Sequence, residues 1–402
     1  MNATWPSWVE IRLDQIVHNV QAIKKWIGQN VRLLAVVKAN GYGLGAIAAS
    51  WACLEGGADI LGVGSPQEGI ELREGGIQTD LLVLGGCFKD QTDLIAQYDL
   101  IQCVQNQEIL HSLENAGKKH NKKIRVHIKV DTGMGRLGIY PEDVPKLWEM
   151  ISGCHHIHVE GIFSHLATSE KLDKTFAQYQ IRRFQELRDR FSKKNIHVPL
   201  WHLCNSGGTI HFPEAHYDMV RCGLMMYGVY PSREMMHPLK ISPVMSWKSR
   251  IVAVKTIPKG GSVSYGRNWI AEKEEKIGVI PLGYHDGYSK RMTHHAKVIV
   301  RNQKVPTIGD ICMDNTMVLL SDVPNVRVED EVVLLGKQGN LEITAEEMAV
   351  WNQSISYETL CTIGRRVPRI YFWENQQIAK SSFIDPGITV GMLENAKREY
   401  SI

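Results

Sequence analysis

The chain has 402 residues, a formal net charge of +3 and 44% hydrophobic residues. These totals are typical of a globular protein with one large domain and a smaller one. The balanced charge, without long runs of one sign, argues against nucleic acid or an anionic membrane as the main partner. The eight cysteines have no C-x-x-C spacing, so they indicate neither a disulfide framework nor a zinc site, and no metal is expected.

We predict a cytoplasmic location. The first six residues lack a basic segment followed by an apolar one, which a signal peptide would need. No apolar run reaches the length of a membrane span.

The first half of the chain alternates predicted strands and helices. Such alternation predicts a parallel sheet with right-handed crossovers, and eight units close into a (β/α)8 TIM-type barrel. An open doubly wound sheet is the alternative, although no G-x-G-x-x-G follows the first strand. The eight predicted strands are 33–37, 60–63, 81–84, 100–104, 124–130, 157–163, 198–203 and 218–221.

Polar residues stand at five of these predicted strand ends. Active sites of such barrels lie at the C-terminal ends of the strands, so the joint pattern favours a functional site there. Singly, each residue has a structural explanation: an exposed strand end for Lys38, a satisfied core histidine for His165, a turn for Asp131. Lys38 in particular could become a neutral amine by partial burial and form a Schiff base. The set is Lys38, Lys129 with Asp131, His165, Asn205 with Ser206, and Arg221.

After Gly223 the alternation stops, and closely spaced prolines are followed by short predicted strands. This pattern predicts a smaller, mostly β C-terminal domain. We divide the chain into a barrel (1–235), a β-rich domain (236–375) and a mobile or peripheral tail without a strand pattern (376–402). Whether residues 1–12 pack with the β domain is left open. The predicted β-domain strands are 244–257, 276–281, 297–300, 305–308, 317–320 and 331–335.

Several motifs run nearly the length of the chain: VVKANGYG at 36–43, KVDTGMGRLG at 129–138, SYG at 264–266, GYHDG at 283–287, ICMD at 311–314 and RRVPR at 365–369. Together they resemble the alanine racemase family of pyridoxal phosphate enzymes. The resemblance implies a barrel followed by a β domain. It also implies an isomerase that interconverts L-alanine and D-alanine on pyridoxal 5'-phosphate and supplies D-alanine for the peptidoglycan of the cell wall.

The resemblance implies a two-base mechanism. Lys38 is then the Schiff-base lysine and, once substrate displaces it, the base on one face of the α-carbon, with Tyr265 on the other face. A tyrosine with an ordinary pKa of about 10 is a poor base at neutral pH, so Tyr265 needs the support of His165 and Arg221. Arg221 faces the pyridine nitrogen and, because it cannot accept a proton, leaves that nitrogen unprotonated.

The remaining binding roles follow from the same resemblance. Asn205 is expected to orient His165 or its hydrogen-bond network. Lys129 is a carbamate in many members, an anion that orients Arg136, whereas chloride fills this role in others, so its state stays open. Phosphate contacts are implied for Tyr42, Ser206, Gly223, Leu224 and Tyr357, substrate-carboxylate contacts for Arg136 and Met313, and an entrance position for Tyr284.

The resemblance also implies a head-to-tail homodimer with shared active sites, because Lys38 falls in the barrel and Tyr265 and Met313 in the β domain. The chain departs from the commonest family pattern at Leu44, where a histidine is usual, and at Asp310 and Thr316.

Three alternatives remain. One is a serine or broad-specificity racemase of the same fold. The second is a decarboxylase with a similar architecture, against which Arg221 argues, since an acidic residue is expected opposite the pyridine nitrogen there. The third is a non-catalytic pyridoxal phosphate-binding protein, against which Tyr265 and Met313 on a second domain argue.

Overall fold

The computed structural model describes residues 5–232, 238–382 and 384–400. The chain forms two compact units. We call the first the barrel unit; it contains Gln15–Gly41 and Ala49–Ser242. We call the second the β unit; it contains Met1–Asp14, Tyr42–Ala48 and Pro243–Ile402. The predicted domain boundary at 235/236 lies outside the described residues.

The barrel unit is built on eight parallel strands. Numbering β1 as the strand Ser7–Arg12 of the β unit, the barrel strands are β2 (Arg32–Val36), β3 (Ile60–Val63), β4 (Leu81–Val83), β5 (Ile101–Val104), β6 (Ile124–Lys129), β7 (Ile157–Phe163), β8 (Leu200–His202) and β9 (Met219–Cys222). Their order in the sheet is β8-β7-β6-β5-β4-β3-β2-β9. Between β8 and β9 the backbone N–H of Asp218 donates to Trp201 O (3.0 Å), and that of Arg221 donates to Cys204 O (2.9 Å). The predicted eight-stranded barrel is confirmed.

The helices that follow these strands begin and end at recognisable signals. Ser65 accepts a hydrogen bond from Glu68 N before Pro66, and Asn106 accepts one from Ile109 N. No helix in the described part of the chain is long and apolar enough to cross a membrane. The helices up to the end of the barrel are Leu13–Ile27, Ala46–Glu55, Pro66–Glu74, Thr92–Gln97, Gln107–His120, Val144–Ser152, Thr175–Lys193 and Ser206–His211.

The β unit contains β1 and twelve further strands among the described residues. These are β10 (Met245–Arg250), β11 (Ala253–Ile257), β12 (Ser262–Val263), β13 (Trp269–Ile270), β14 (Glu275–Ile280), β15 (Lys297–Val300), β16 (Gln303–Ile308), β17 (Thr316–Leu319), β18 (Glu331–Gln338), β19 (Leu341–Ile343), β20 (Arg369–Trp373) and β21 (Gln376–Ser381); the helices are Ala345–Trp351, Ser356–Cys361 and Val390–Tyr400. The large sheet has the order β11-β14-β17-β16-β15-β18-β10-β1-β20-β21, with β19 paired to β18, and β12 and β13 form a separate pair. Strand β1 runs antiparallel to β10 and parallel to β20.

Two regions differ from the sequence-based expectation. The single predicted strand 244–257 is two strands, because the chain changes partners: Ile251 N bonds to Asp330 O, and Val252 N bonds to Val279 O. The predicted tail contains β21, which pairs with β20, and the helix Val390–Tyr400. Strand β21 has only one neighbour and is mostly exposed or half-buried, so it lacks the apolar alternation that predicts a strand.

Candidate active site

The segment after β2 carries Lys38 into a left-handed turn. Ala39 (φ 53°, ψ 50°), Asn40 (φ 54°, ψ 48°) and Gly41 (φ 60°, ψ 41°) all adopt left-handed helical dihedrals. Residues with a Cβ pay about 1–2 kcal/mol each for this conformation. Such strain persists only where the surroundings enforce it, and it concentrates at functional sites.

Glu68 holds the start of this turn. Its Oε1 accepts a hydrogen bond from Ala39 N (2.9 Å), and its Oε2 accepts one from Gly64 N (2.6 Å). One carboxylate therefore bridges the residue after Lys38 and the residue after β3. The sequence-based reasoning did not identify Glu68.

Arg221 lies buried on β9, the strand next to β2. Its guanidinium contacts His202 Nδ1 (3.0 Å) and His165 Nδ1 (3.2 Å) and donates to the carbonyl oxygens of Ser164 (2.7 Å) and Leu203 (2.9 Å). Burial lowers the pKa of Arg221 to about 10, which leaves it protonated at neutral pH. None of these bonds uses Nε–H, so within the described residues Arg221 keeps a donor for a further acceptor.

The two histidines beside Arg221 are neutral. Burial, reinforced by the charge of Arg221, lowers the pKa of both His165 and His202 well below the usual value. A guanidinium can only donate, so Nδ1 of each ring accepts and the proton of each ring lies on Nε2. His165 thus presents a neutral N–H donor at the end of β7.

A third histidine continues this chain of bonds into the barrel. His202 Nε2 lies 2.8 Å from His127 Nδ1, and burial lowers the pKa of His127 to about 3. A Cβ on Gly161 would lie 2.6 Å from His127 Nδ1, so the glycine makes room for the ring. The His127 Nε2 atom is buried without a partner among the described residues. Neither His127 nor His202 was identified from sequence.

Lys129 lies buried at the end of β6. Burial and the neighbouring charge of Arg221 lower the pKa of Lys129 well below its ordinary value, which favours the neutral amine. Its Nζ lies 4.3 Å from the centroid of the Phe163 ring. The same ring stacks on His202 at 4.8 Å and lies 5.3 Å from the Arg221 guanidinium. Phe163 therefore packs against three of the polar side chains at the strand ends.

Asp131 shapes the loop that carries Arg136. Its carboxylate accepts hydrogen bonds from Gly133 N (2.9 Å) and Gly135 N (3.1 and 3.0 Å), and these bonds help to lower its pKa. The turn-forming explanation for Asp131 therefore accounts for its contacts. Arg136 is exposed, yet its charge contributes to the lowered pKa of both Lys129 and His165.

Ser206 and Gly223 are brought together after β8 and β9. Gly223 N donates to Ser206 Oγ (3.1 Å), so the serine keeps its own proton for another acceptor. Leu224 follows in a short 3-10 turn and is buried. Two of the segments expected to hold phosphate are therefore adjacent.

Asn205 stabilises the chain near His165 rather than the imidazole ring of His165 itself. Its Oδ1 accepts from Ser169 Oγ (2.8 Å) and Gly208 N (3.0 Å), and its Nδ2 donates to Leu166 O (3.4 Å). His165 is held by Arg221 and, through its carbonyl oxygen, by the side chain of Gln180 (2.9 Å).

The other predicted site residues belong to the β unit. The rings of Tyr42 and Tyr357 have centroids 6.1 Å apart. Three residues to which the family resemblance gives a role in the site are exposed: Tyr265 by 72%, Met313 by 51% and Tyr284 by 42%.

Comparisons with known proteins now bear on this arrangement. A family model described as alanine racemase, N-terminal domain, matches residues 11–231, and one described as alanine racemase, C-terminal domain, matches residues 244–371. The chain belongs to the alanine racemase family. The alanine racemases of Halothermothrix orenii and Symbiobacterium thermophilum are 39% and 40% identical to it over 368 and 366 residues. These alignments cover 92% and 91% of this chain and 97% of each relative.

Solved structures agree with this assignment. The alanine racemase of Clostridium difficile 630 superposes with a TM-score of 0.91 at 31% identity, over 95% of this chain and 100% of that one. The Bacillus anthracis alanine racemase with bound L-Ala-P superposes with a TM-score of 0.90 at 30% identity, over 96% and 99%.

The chain's departures from the usual alanine racemase pattern now have a structural context. Leu44 is fully buried, and its carbonyl oxygen accepts from Tyr371 Oη (2.9 Å). Thr316 is also buried and donates its hydroxyl to Leu282 O (2.9 Å). Both therefore act in packing, whereas Asp310 contacts the segment that carries Tyr265.

Proposed function

We propose that the protein is an alanine racemase that interconverts L-alanine and D-alanine with pyridoxal 5'-phosphate as its cofactor, and that it supplies D-alanine for peptidoglycan. The observation that carries the proposal is the buried Arg221 with neutral His165 beside it, on the strand next to the one that leads into Lys38. A decarboxylase is expected to place an acidic residue opposite the pyridine nitrogen, where this chain has Arg221, a side chain that bonds to two imidazole nitrogens and two main-chain carbonyl oxygens.

The residues present fit the cofactor. Lys38 would hold it covalently, and the spare Nε–H of Arg221 suits an unprotonated ring nitrogen. The phosphate would be held by the Ser206 hydroxyl, whose proton is free to donate, and by the backbone N–H groups of Gly223 and Leu224. Tyr42 and Tyr357 are expected to add phosphate contacts. When bound, pyridoxal phosphate supplies an electron sink that makes an amino acid's α-proton removable.

This chain's own side chains would then move the proton. Lys38 Nζ takes or returns it on one face of the α-carbon, and Tyr265 Oη does so on the other. Arg221 only donates, so it leaves the ring nitrogen unprotonated and keeps the electron sink weak, which suppresses side reactions. Arg136 and the backbone N–H of Met313 would fix the substrate carboxylate, and Tyr284 would line the entrance.

Lys129 is proposed to support Arg136. A neutral amine is the form that can react with carbon dioxide to give a carbamate, and the lowered pKa of Lys129 favours that form. The carbamate would be an anion able to orient Arg136. A chloride ion is the alternative anion in this role.

We infer a head-to-tail homodimer with shared active sites. The support is the exposure of Tyr265, Met313 and Tyr284 on the β unit, where the covering surface would come from a second copy.

All eight cysteines are free thiols, which suits a reducing compartment and supports a cytoplasmic location.

The test is to purify the protein with pyridoxal phosphate, record its visible absorbance, and follow loss of optical activity with L-alanine, L-serine and L-lysine. We expect a yellow protein that racemises L-alanine fastest. Faster turnover of L-serine or L-lysine would favour a serine or broad-specificity racemase. A yellow protein inactive on all three would indicate a cofactor-binding protein without racemase activity.

A further inference from the structure

We propose that Asp310 is a positioning residue for Tyr265, fixing the backbone on both sides of the tyrosine. The proposal deepens the function proposed above and rests on it. We call residues 262–270 the tyrosine loop. Asp310 is one of the positions at which this chain departs from the commonest family pattern, so its role has to be found in its own contacts.

The tyrosine loop is strained directly before Tyr265. Ser264 has φ 67° and ψ −174°, a backbone region that is essentially confined to glycine. Its hydroxyl donates to the main-chain carbonyl of Asp310 (2.6 Å) and lies 3.3 Å from Cys312 Sγ. A residue other than glycine stays in this region only when neighbouring groups enforce the conformation. Here the segment around Asp310 supplies those groups.

The backbone of the two segments meets closely at Gly309. A Cβ on Gly309, which has φ 64°, would lie 2.7 Å from Val263 O and 2.8 Å from Ser264 Cβ. A residue larger than glycine would therefore push Ser264 out of place. The segment before Asp310 and the segment before Tyr265 therefore pack closely against each other.

The carboxylate of Asp310 holds the other side of the tyrosine. Its Oδ1 accepts from Asn268 Nδ2 (3.0 Å), and its Oδ2 lies 3.5 Å from Lys290 Nζ. Asn268 in turn packs against Gly266 (φ 69°), where a Cβ would lie 2.9 Å from Asn268 Nδ2. The side chain of Asp310 is only 15% exposed, although Lys290 is 62% exposed.

The side chain of Tyr265 is itself 72% exposed, so packing within the β unit does little to orient it. Within its own chain, the position of Tyr265 therefore depends on its backbone. Asp310 restrains that backbone on both sides, because its carbonyl oxygen accepts from the Ser264 hydroxyl and its carboxylate accepts from the Asn268 amide. A base that must face one side of an α-carbon loses rate steeply when it is misplaced, on the order of 100-fold for an ångström.

The experiment compares Asp310→Ala with Asp310→Asn in the full-length enzyme loaded with pyridoxal phosphate. Exchange of the α-hydrogen with deuterated solvent is measured separately from L-alanine and from D-alanine. We expect Asp310→Ala to slow exchange by about tenfold for the enantiomer that depends on Tyr265 and by less than about twofold for the other. We expect Asp310→Asn to restore most of the loss, because its amide oxygen still accepts from Asn268.

Two reference variants make the result interpretable. Tyr265→Phe identifies which enantiomer depends on the tyrosine, and Lys290→Ala removes the exposed partner of Asp310, where we expect little change. Backbone amide exchange followed by mass spectrometry gives a readout independent of turnover. Peptides covering 262–270 should lose protection in Asp310→Ala and keep it in Asp310→Asn.

Three results would overturn the proposal: equal slowing for both enantiomers in Asp310→Ala, no slowing for either, or a loss in Asp310→Asn as large as in Asp310→Ala. A different result would overturn the proposed two-base function itself. If Tyr265→Phe slows neither enantiomer selectively, Tyr265 is not the second base, and the Asp310 proposal fails with it.

Discussion

The turn after Lys38 and the loop around Tyr265 make an instructive pair. In both, strained backbone adjoins a residue proposed to act as a base: Ala39 and Asn40 after Lys38, and Ser264 before Tyr265. The turn adjoins the barrel's buried strand ends, and the Glu68 carboxylate binds its first N–H. The loop instead presents its tyrosine to solvent. One proposed base is therefore placed by the barrel's own groups, whereas the other extends from an exposed loop.

The largest effect is expected from Lys38→Ala. Without the amine, no covalent linkage to pyridoxal phosphate can form and the base on one face is lost. We expect racemisation to fall by at least about 1,000-fold, the upper part of the range for a proton-transfer group. Borohydride treatment followed by mass spectrometry should find no trapped cofactor in the variant, whereas the wild-type protein is labelled. A labelled variant would mean that another lysine holds the cofactor.

Tyr265→Ala should have a smaller and one-sided effect. We expect the cofactor to remain bound, because its proposed anchors lie elsewhere. Deuterium exchange should fall by about 100- to 1,000-fold for one enantiomer and much less for the other. Visible absorbance checks cofactor binding, and mass spectrometry of the alanine checks exchange. Unchanged exchange for both enantiomers would remove Tyr265 from the mechanism and end the comparison with Lys38.

Glu68→Ala tests whether the turn after Lys38 needs its carboxylate. The substitution leaves Ala39 N and Gly64 N without their acceptor. Water can replace the acceptor of the exposed Ala39 N, whereas the part-buried Gly64 N loses up to about 1–3 kcal/mol where it stays unpaired. We expect a rate loss of about ten- to 100-fold, with slower formation of the borohydride-trappable linkage. Glu68→Gln keeps one acceptor oxygen and is the matched control, with an intermediate loss. Wild-type kinetics in Glu68→Ala would show that the strained turn keeps its conformation without the carboxylate.

The smallest effect concerns pH and stability on the barrel side. The folded-state pKa of His127 is about 3, against about 6.5 for an exposed histidine. Between these values the unfolded chain binds the extra proton, so stability falls as pH decreases through this window, by up to about 1.4 kcal/mol per pH unit for this one group.

His127→Phe removes that contribution, so its unfolding free energy should depend less on pH between 7 and 5 than that of the wild type. Urea denaturation at the two pH values measures both slopes. His202→Phe offers a second comparison, because burial lowers the pKa of His202 in the same direction. Identical slopes for His127→Phe and the wild type would mean that the pKa of His127 is the same in the folded and the unfolded chain.

Strand–helix alternation made the barrel predictable, because each buried parallel strand reads as a short apolar run. Polar residues at strand ends pointed to Lys38, His165 and Arg221. Glu68 could not be found in this way, since its partners are main-chain N–H groups, one of them 29 residues away in sequence. His127 and His202 lie within apolar strands, where a histidine reads as a core residue. The one sequence signal for these histidines was the position of His202 near the end of the predicted strand 198–203.

In the β unit, sequence patterns predicted β15 and β16 well but not the change of partners between β10 and β11. Alternation continues through Ile251 and Val252, so nothing local marks the point at which the chain passes from one neighbouring strand to another. The motif around Tyr265 was recognised by its resemblance to the family. The proposed dependence of Tyr265 on Asp310 could not be recognised in this way, because this chain departs from the family pattern at Asp310.

The position of β1 has a consequence for synthesis. This strand is made within the first twelve residues, yet its two neighbours are β10, which begins at Met245, and β20, which begins at Arg369. While the ribosome builds the barrel strands, β1 has no strand to pair with on either side. Its pairing on both sides waits until β20 has been made, so β1 must be kept from pairing wrongly throughout the synthesis of the barrel.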